Sequence, residues 1–225
     1  MSDETTRIRA RAAGIAQSQV QLRRLAAGPR RRTEEVLTAA AAVFAERGFH
    51  GASTQDIADR LGMRQASLYY YFASKETALE QVCQRGIERI IGDTEVIAAA
   101  PGAVTERLAM VMRRHVEPLA DNCASVRAYL HEVRFLPRES RRRIGKLARR
   151  YERVVEGLLE EGIASGEMRA DLDVEIARDA IVGMCNHAAH WPGQEPAGAM
   201  KHVAEELIRL VLRGIATEPP HAGDG

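Results

Sequence analysis

Apolar residues recur at helical spacing along most of the chain, and no stretch alternates as a strand would. The first clear face is Val36, Ala40, Val43 and Phe44, in a helix that opens near Thr33 and is closed by Gly48 as a C′ glycine. Ser53 then stands where an N-cap would, with Asp56 three residues on, the arrangement of a capping box. Ile57, Ala58 and Leu61 form the inner face of a short helix that Gly62 stops. A second short helix is predicted over 65–72, with Leu68 and Phe72 inward, and Ser74 caps a longer helix beginning at Lys75. Beyond it the pattern predicts helices over 75–98, 103–120, 123–135, 138–165, 174–191 and 197–215. Pro101–Gly102, Pro137, Gly166, Pro192–Gly193 and Pro196 supply the breaks, and Asp173 is the N-cap of the 174–191 helix. The expected fold class is all-α.

Composition agrees. Of 225 residues, 45% are hydrophobic and only 4% aromatic, and Ala, Leu, Arg and Glu dominate. That excludes a largely disordered chain. The three cysteines, Cys83, Cys123 and Cys185, form no CxxC pair, so a reducing compartment is expected in place of a disulfide framework. The N-terminus has no apolar signal-peptide core, and the longest nearly apolar stretch, Val36 to Ala45, is about half of what a bilayer requires. A soluble, cytoplasmic protein with no membrane partner is expected.

Charge changes the picture. The net charge is +1, but residues 1–75 hold 12 Lys+Arg against 7 Asp+Glu, or +5, and residues 76–225 hold 20 against 24, or −4. A basic N-terminal third on an acidic remainder suits a polyanion-binding module attached to something else. A solvated basic tail is the alternative.

The stretch from Ser53 to Phe72 is helix, glycine turn, helix: a helix-turn-helix, whose second helix enters the major groove of DNA. Arg64, Gln65, Ser67, Tyr69, Tyr70 and Tyr71 cluster on that second element, followed by Lys75. Arg and Gln are the types that read guanine and adenine edges in bidentate fashion, while Ser, Tyr and Lys hold phosphates. A helical hairpin with its tyrosines in the core is the competing account.

The run RGFHGASTQDIADRLGMRQASLYYYFASKETALEQV resembles the N-terminal DNA-binding domain of the TetR (tetracycline-repressor-like) family. The matching positions include Phe44, Gly48, Phe49, Thr54, Ile57, Leu61, Gly62, Leu68, Tyr69, Phe72, Lys75, Glu76 and Leu79. The departure is Met63–Arg64, where the family often has Val–Ser; Arg64 implies a guanine contact. The resemblance implies base contacts from Gln55, Arg64 and Gln65, and phosphate or sugar contacts from Thr54, Ser67, Tyr70, Tyr71 and Lys75. Tyr69 is divided between packing and phosphate. It also implies a homodimer on an operator of double-stranded DNA, built on the last two helices. Ile176, Ala180, Gly183 and His187 give the first of these a face of mostly small residues, and Val203, Leu207, Leu210 and Val211 stripe the second. The expected organisation is a basic arm over 1–29, a DNA-binding unit over 30–80, a ligand-binding and dimerisation domain over 81–216, and a tail over 217–225.

The 138–165 helix begins with Arg138, Arg141, Arg142 and Arg143 and carries Glu156, Glu160 and Glu161 towards its end, against the helix dipole. Pairing with acids on neighbouring helices, such as Glu132, is one account. Attraction of an anionic ligand is the other. The segments HEVRFLPRESRRRI, YERVVEGLLEEGIASGEMR and GMCNHAAHWPG resemble the C-terminal domain of TetR members that respond to acyl-CoA thioesters. That resemblance implies a small-molecule effector of this class, with Met112, Leu130, Arg134, Phe135, Arg141, Arg142, Met184, His187 and Trp191 as candidate ligand contacts. A lipophilic drug is the alternative effector, although such pockets usually combine acids with aromatics, and this chain is poor in aromatics. His187 and His190, with His131 elsewhere, lack the carboxylate or cysteine set of a metal site. No cofactor is expected. No phosphate loop, GxSxG elbow or HExxH motif is present, so no enzyme is expected. The competing class is a helical small-molecule-binding protein or enzyme with an incidental basic N-terminus. Salt-dependent, sequence-specific DNA binding separates the two.

Overall fold

The structure, a computed structural model, describes residues 29–120, 123–190 and 199–217. Most of the expected arm, the tail after Thr217, and Trp191 lie outside the described residues. The described residues form α1 (Pro29–Gly51), α2 (Thr54–Leu61), α3 (Gln65–Leu68), α4 (Lys75–Ile91), α5 (Thr94–Ala98), α6 (Val104–Ala120), α7 (Ala124–Glu132), α8 (Arg138–Ser165), α9 (Val174–His187) and α10 (Ala199–Ile215), with 3-10 turns at Val133–Phe135 and Ala188–His190. Their only extended pairing is an isolated bridge between Met168 and Ala216.

The start and stop signals act as expected. Ser53 Oγ accepts from Asp56 N–H at 3.1 Å while Ser53 N–H donates to Asp56 Oδ2 at 2.8 Å, closing the capping box of α2. Gly62 ends α2 in the left-handed conformation. Ser74 Oγ accepts from Thr77 N–H, and Asp173 Oδ1 from Ile176 N–H at 3.0 Å. Four differences from the expected spans have local causes. Gly48, at φ 68° and ψ 170°, kinks α1, and the chain resumes a helical turn to Gly51. The 65–72 helix shortens to Gln65–Leu68 because Leu68 C=O receives both Tyr71 N–H and Phe72 N–H, tightening Tyr69–Tyr71 into a turn. The expected 75–98 helix breaks at Gly92, φ 42° and ψ −121°, and restarts as α5. The expected 123–135 helix tightens to 3-10 over its last turn, ahead of Pro137.

α1 packs on α2, α4 and α7; α4 runs on against α6, α7 and α8; and α6, α8, α9 and α10 form the far bundle. One continuous core links them, from Val36, Phe44 and Leu68 to Leu108, Leu158 and Ile181. The α4–α7 contact is the closest approach. A Cβ on Gly86 would lie 2.3 Å from Ser125 C=O, so only glycine fits there.

Candidate nucleic-acid interface

α2 and α3 rest on α1 through Ile57, Ala58, Leu61 and Leu68, all buried, which turns their polar residues outward. Tyr70 is 84% exposed and Tyr69 56%. The account of these tyrosines as core therefore holds only for Tyr71, which is half-buried with its ring edge-on to Tyr70. Tyr69, expected to divide its role with packing, faces solvent. An exposed aromatic pair loses contact with water only when something docks on it.

The candidate base readers stand together. Arg64 is the N-cap of α3, exposed, and its side chain makes no hydrogen bond or ion pair among the described residues. Gln65 Nε2 donates to Thr54 Oγ1 at 2.6 Å, tying the start of α3 to the start of α2, and Gln55 Nε2 donates to Asp59 Oδ1. Ser67 is exposed beside them. Nearby cations are already neutralised: Arg47 pairs with Asp56 and Arg60 forks onto Glu46. Ser53, and then Arg47, hold the Asp56 carboxyl below the usual carboxylate range, and Arg60 does the same for Glu46.

Lys75, expected at a phosphate, also has partners inside the chain. Its ammonium donates to Phe49 C=O at 2.9 Å and Ala52 C=O at 3.0 Å, and lies 4.3 Å from the centre of the Phe49 ring. Two of its three donors hold the end of α1 against the start of α4. Lys75 positions the helix-turn-helix from within.

Phe49 also joins this unit to the rest of the chain. Its N–H donates to Glu132 Oε2 at 2.7 Å, and its ring stacks on Phe135 at 6.1 Å. His50 meets Phe135 edge-on at 4.6 Å, and the Arg134 guanidinium lies over the same ring, 4.8 Å from its centre. Arg134 and Phe135, expected against a ligand, thus lie at the junction of the two units. Glu132, one account's partner for the arginines of α8, instead accepts the Phe49 N–H at the kinked end of α1.

The arginines of α8 divide. Arg143 forks onto Glu80, which also accepts from Ser140, and these donors hold the Glu80 carboxyl below its ordinary range. Arg138 and Arg142 are exposed and make no ion pair among the described residues, and Arg141 donates only to Arg134 C=O. Of the other expected ligand contacts, Met112 is buried on α6 and Leu130 half-buried on α7. Met184 and His187 line an open cleft of about 450 Å³ between α9 and α10, together with Gly183 and Leu207. A second groove of about 480 Å³, between α5, α6 and α10, is lined by Ile97, Met110, Val116, Met200 and Ala204, with Arg113 and Lys201 at its edge. None of the expected ligand residues among those described lines it. Met110, an apolar residue on the exposed stripe of Glu106, Arg113 and Glu117 along α6, was its one sequence signal. No described helix is long and apolar enough to cross a membrane. Burial pushes the Cys83 and Cys185 thiols up to about 12, so neither is a reactive thiolate.

Comparison with known proteins matches two stretches of the chain. Residues 36–82 match the model of bacterial regulatory proteins of the tetR family, and residues 101–215 match that of the tetracyclin repressor-like C-terminal domain. The HTH-type transcriptional repressor KstR2 of Rhodococcus jostii is 29% identical over 191 residues, covering 84% of this chain and 93% of that one. The solved structure of the ketosteroid transcriptional regulator KstR2 of Mycobacterium tuberculosis superimposes with a TM-score of 0.74 at 28% identity, covering 83% of this chain and 96% of that one. The Bacillus subtilis transcriptional regulator FadR, solved in complex with stearoyl-CoA, gives 0.69 at 27% identity, covering 81% and 98%. An exposed reading surface on α3, a helical domain behind it and the match of both to one family's two domains have a single meaning: the chain belongs to the TetR family of DNA-binding transcriptional regulators.

Proposed function

We propose that the protein is a homodimeric repressor that binds a palindromic operator and is released from it by an acyl-CoA thioester. One short recognition element contacts too few bases for specificity, and two of them, a helical turn apart, read a palindrome. Arg64 and Gln65 read bases in this account, with Gln55 beside them, and Thr54, Ser67, Tyr69 and Tyr70 hold the backbone. The single chain leaves the means of pairing uncovered. Ile176, Ala180, Gly183 and His187 all face solvent along one side of α9, and Leu210 does so on α10. A Cβ on Gly183 would touch nothing, so a second helix can approach closely.

The observation that carries the effector class is the pair Arg138 and Arg142, exposed at the start of α8 without an acid. Unpaired arginines in a row suit the phosphates of coenzyme A. The relative solved with stearoyl-CoA supports the same class. The test is titration of the complex with an operator selected from random duplexes, using acyl-CoAs of increasing length. Longer chains release the operator at lower concentration, by about 0.8 kcal/mol per buried methylene, and free CoA acts only weakly. Arg138→Glu with Arg142→Glu impairs the response and leaves operator binding intact. Release by lipophilic cations and by no thioester overturns the effector class while leaving the regulator standing.

A further inference from the structure

Inside the bundle of α6, α8 and α9 lies a polar cluster that packing does not explain. His115 is buried on α6, with its ring edge-on to Tyr151 of α8 at 5.0 Å. His115 Nε2 meets Asn186 Oδ1 of α9 at 3.1 Å. With that oxygen facing it, Nε2 carries the proton and Nδ1 is left as a bare acceptor. Nδ1 has no partner among the described residues, and neither does the Tyr151 hydroxyl, on a side chain only 2% exposed. They lie within the core that also holds Met112, Val155 and Ile181, with the Cys185 thiol near Tyr151. Buried polar groups are nearly always satisfied, so two orphan atoms on a pair of rings in edge contact are unusual.

We propose that this cluster is a recognition point for an oxygen function, in the simplest case a hydroxyl, carried on the apolar part of the effector. A hydroxyl is the smallest group that both donates to His115 Nδ1 and accepts from Tyr151 Oη. A ketone satisfies Tyr151 alone. A carboxylate is excluded, because it would be buried without a counter-charge; burial holds His115 neutral by lowering its pKa to about 4. Desolvated polar groups that stand unpaired in the free protein, here one acceptor and one donor, discriminate strongly, since a plain hydrocarbon leaves them unpaired. The inference rests on the thioester reading for the rest of the ligand.

The experiment compares decanoyl-CoA with its 3-, 6- and 10-hydroxy derivatives by calorimetric titration of the full chain, wild type and Tyr151→Phe. The expected result is one hydroxy isomer binding wild type at least about tenfold more tightly than decanoyl-CoA. In Tyr151→Phe the advantage disappears and decanoyl-CoA binds as before. The free variant melts a few degrees higher, having lost an unsatisfied hydroxyl. Isomers that all bind like decanoyl-CoA or worse overturn the inference and leave the thioester effector standing. So does a lower melting temperature in the free variant, which would mean the hydroxyl is already satisfied. If no thioester binds, the effector class has failed, and cyclohexanol decides the inference. A melting shift in wild type that vanishes in Tyr151→Phe upholds it, and equal or absent shifts overturn it.

Discussion

Glu132 accepts the backbone N–H of Phe49 at 2.7 Å, across 83 positions of sequence. The kink at Gly48 lifts that N–H off the helical ladder, and the carboxylate replaces the lost carbonyl. Glu132→Leu should therefore lower stability by about 1.5–3 kcal/mol, the range for a hydrogen bond to a charged group. Urea melts read the loss, and Glu132→Gln, which keeps an acceptor, should recover most of it. Equal melting midpoints for wild type and Glu132→Leu would show the contact to be dispensable.

Lys75→Met keeps an apolar stem beside Phe49 and removes two donors. Stability and operator affinity should both fall. The slope of log affinity against log salt should stay unchanged, because an ammonium engaged with carbonyls releases no counterion from DNA. A slope reduced by about one per subunit would return Lys75 to the phosphate role.

Arg64→Ala and Gln65→Ala should each weaken specific binding by about 1–3 kcal/mol and relax the preference at one position per half-site. Competition between selected and random duplexes measures both effects. Gln65→Ala should also weaken binding to random DNA slightly, since it frees Thr54 from its 2.6 Å bond.

Gly86→Ala places a methyl 2.3 Å from a backbone oxygen that cannot rotate away. The helices α4 and α7 must separate, at a cost of about 1–3 kcal/mol. The denaturation midpoint should drop with little change in its slope.

His115 supplies a pH dependence. Burial lowers its pKa from 6.5 to about 4, so between those values the unfolded chain binds a proton that the native chain refuses. Its contribution is fully present above pH 6.5 and is lost as pH falls towards about 4, at up to roughly 1.4 kcal/mol per pH unit. The difference in stability between wild type and His115→Leu should be constant above pH 7 and shift across this window. A difference that stays constant from pH 7 to 4.5 would contradict a buried neutral imidazole.

What the sequence made legible was local. The Ser53–Asp56 box, Gly62, Ser74 and Asp173 are signals that act within three or four residues, and each ends or begins a helix where its chemistry requires. The face of Val36, Ala40, Val43 and Phe44 is buried because 3.6-residue periodicity is a property of one helix. Relationships between helices were not legible. Nothing near Glu132 in sequence announces Phe49, and the arginines of α8 looked alike until Glu80 claimed Arg143 alone. The two carbonyl bonds of Lys75 were not legible either, because its residue type is the same whether it faces DNA or the end of α1. His115 and Tyr151 are ordinary positions in two amphipathic patterns until the helices meet.

α8 is 28 residues long and has no break among them, so it extends roughly 42 Å. Arg143, near its start, is clamped to Glu80 on the helix that leads out of the DNA-reading unit, and Glu161, near its end, is clamped to Arg107 on α6. The two clamps are separated by roughly 27 Å along the rod. Rocking such a beam by about 5° around the Glu161 end carries the Glu80 end through about 2 Å. Displacements of that size repack a helix interface, so a small adjustment among α6, α8 and α9 arrives at α4 with leverage.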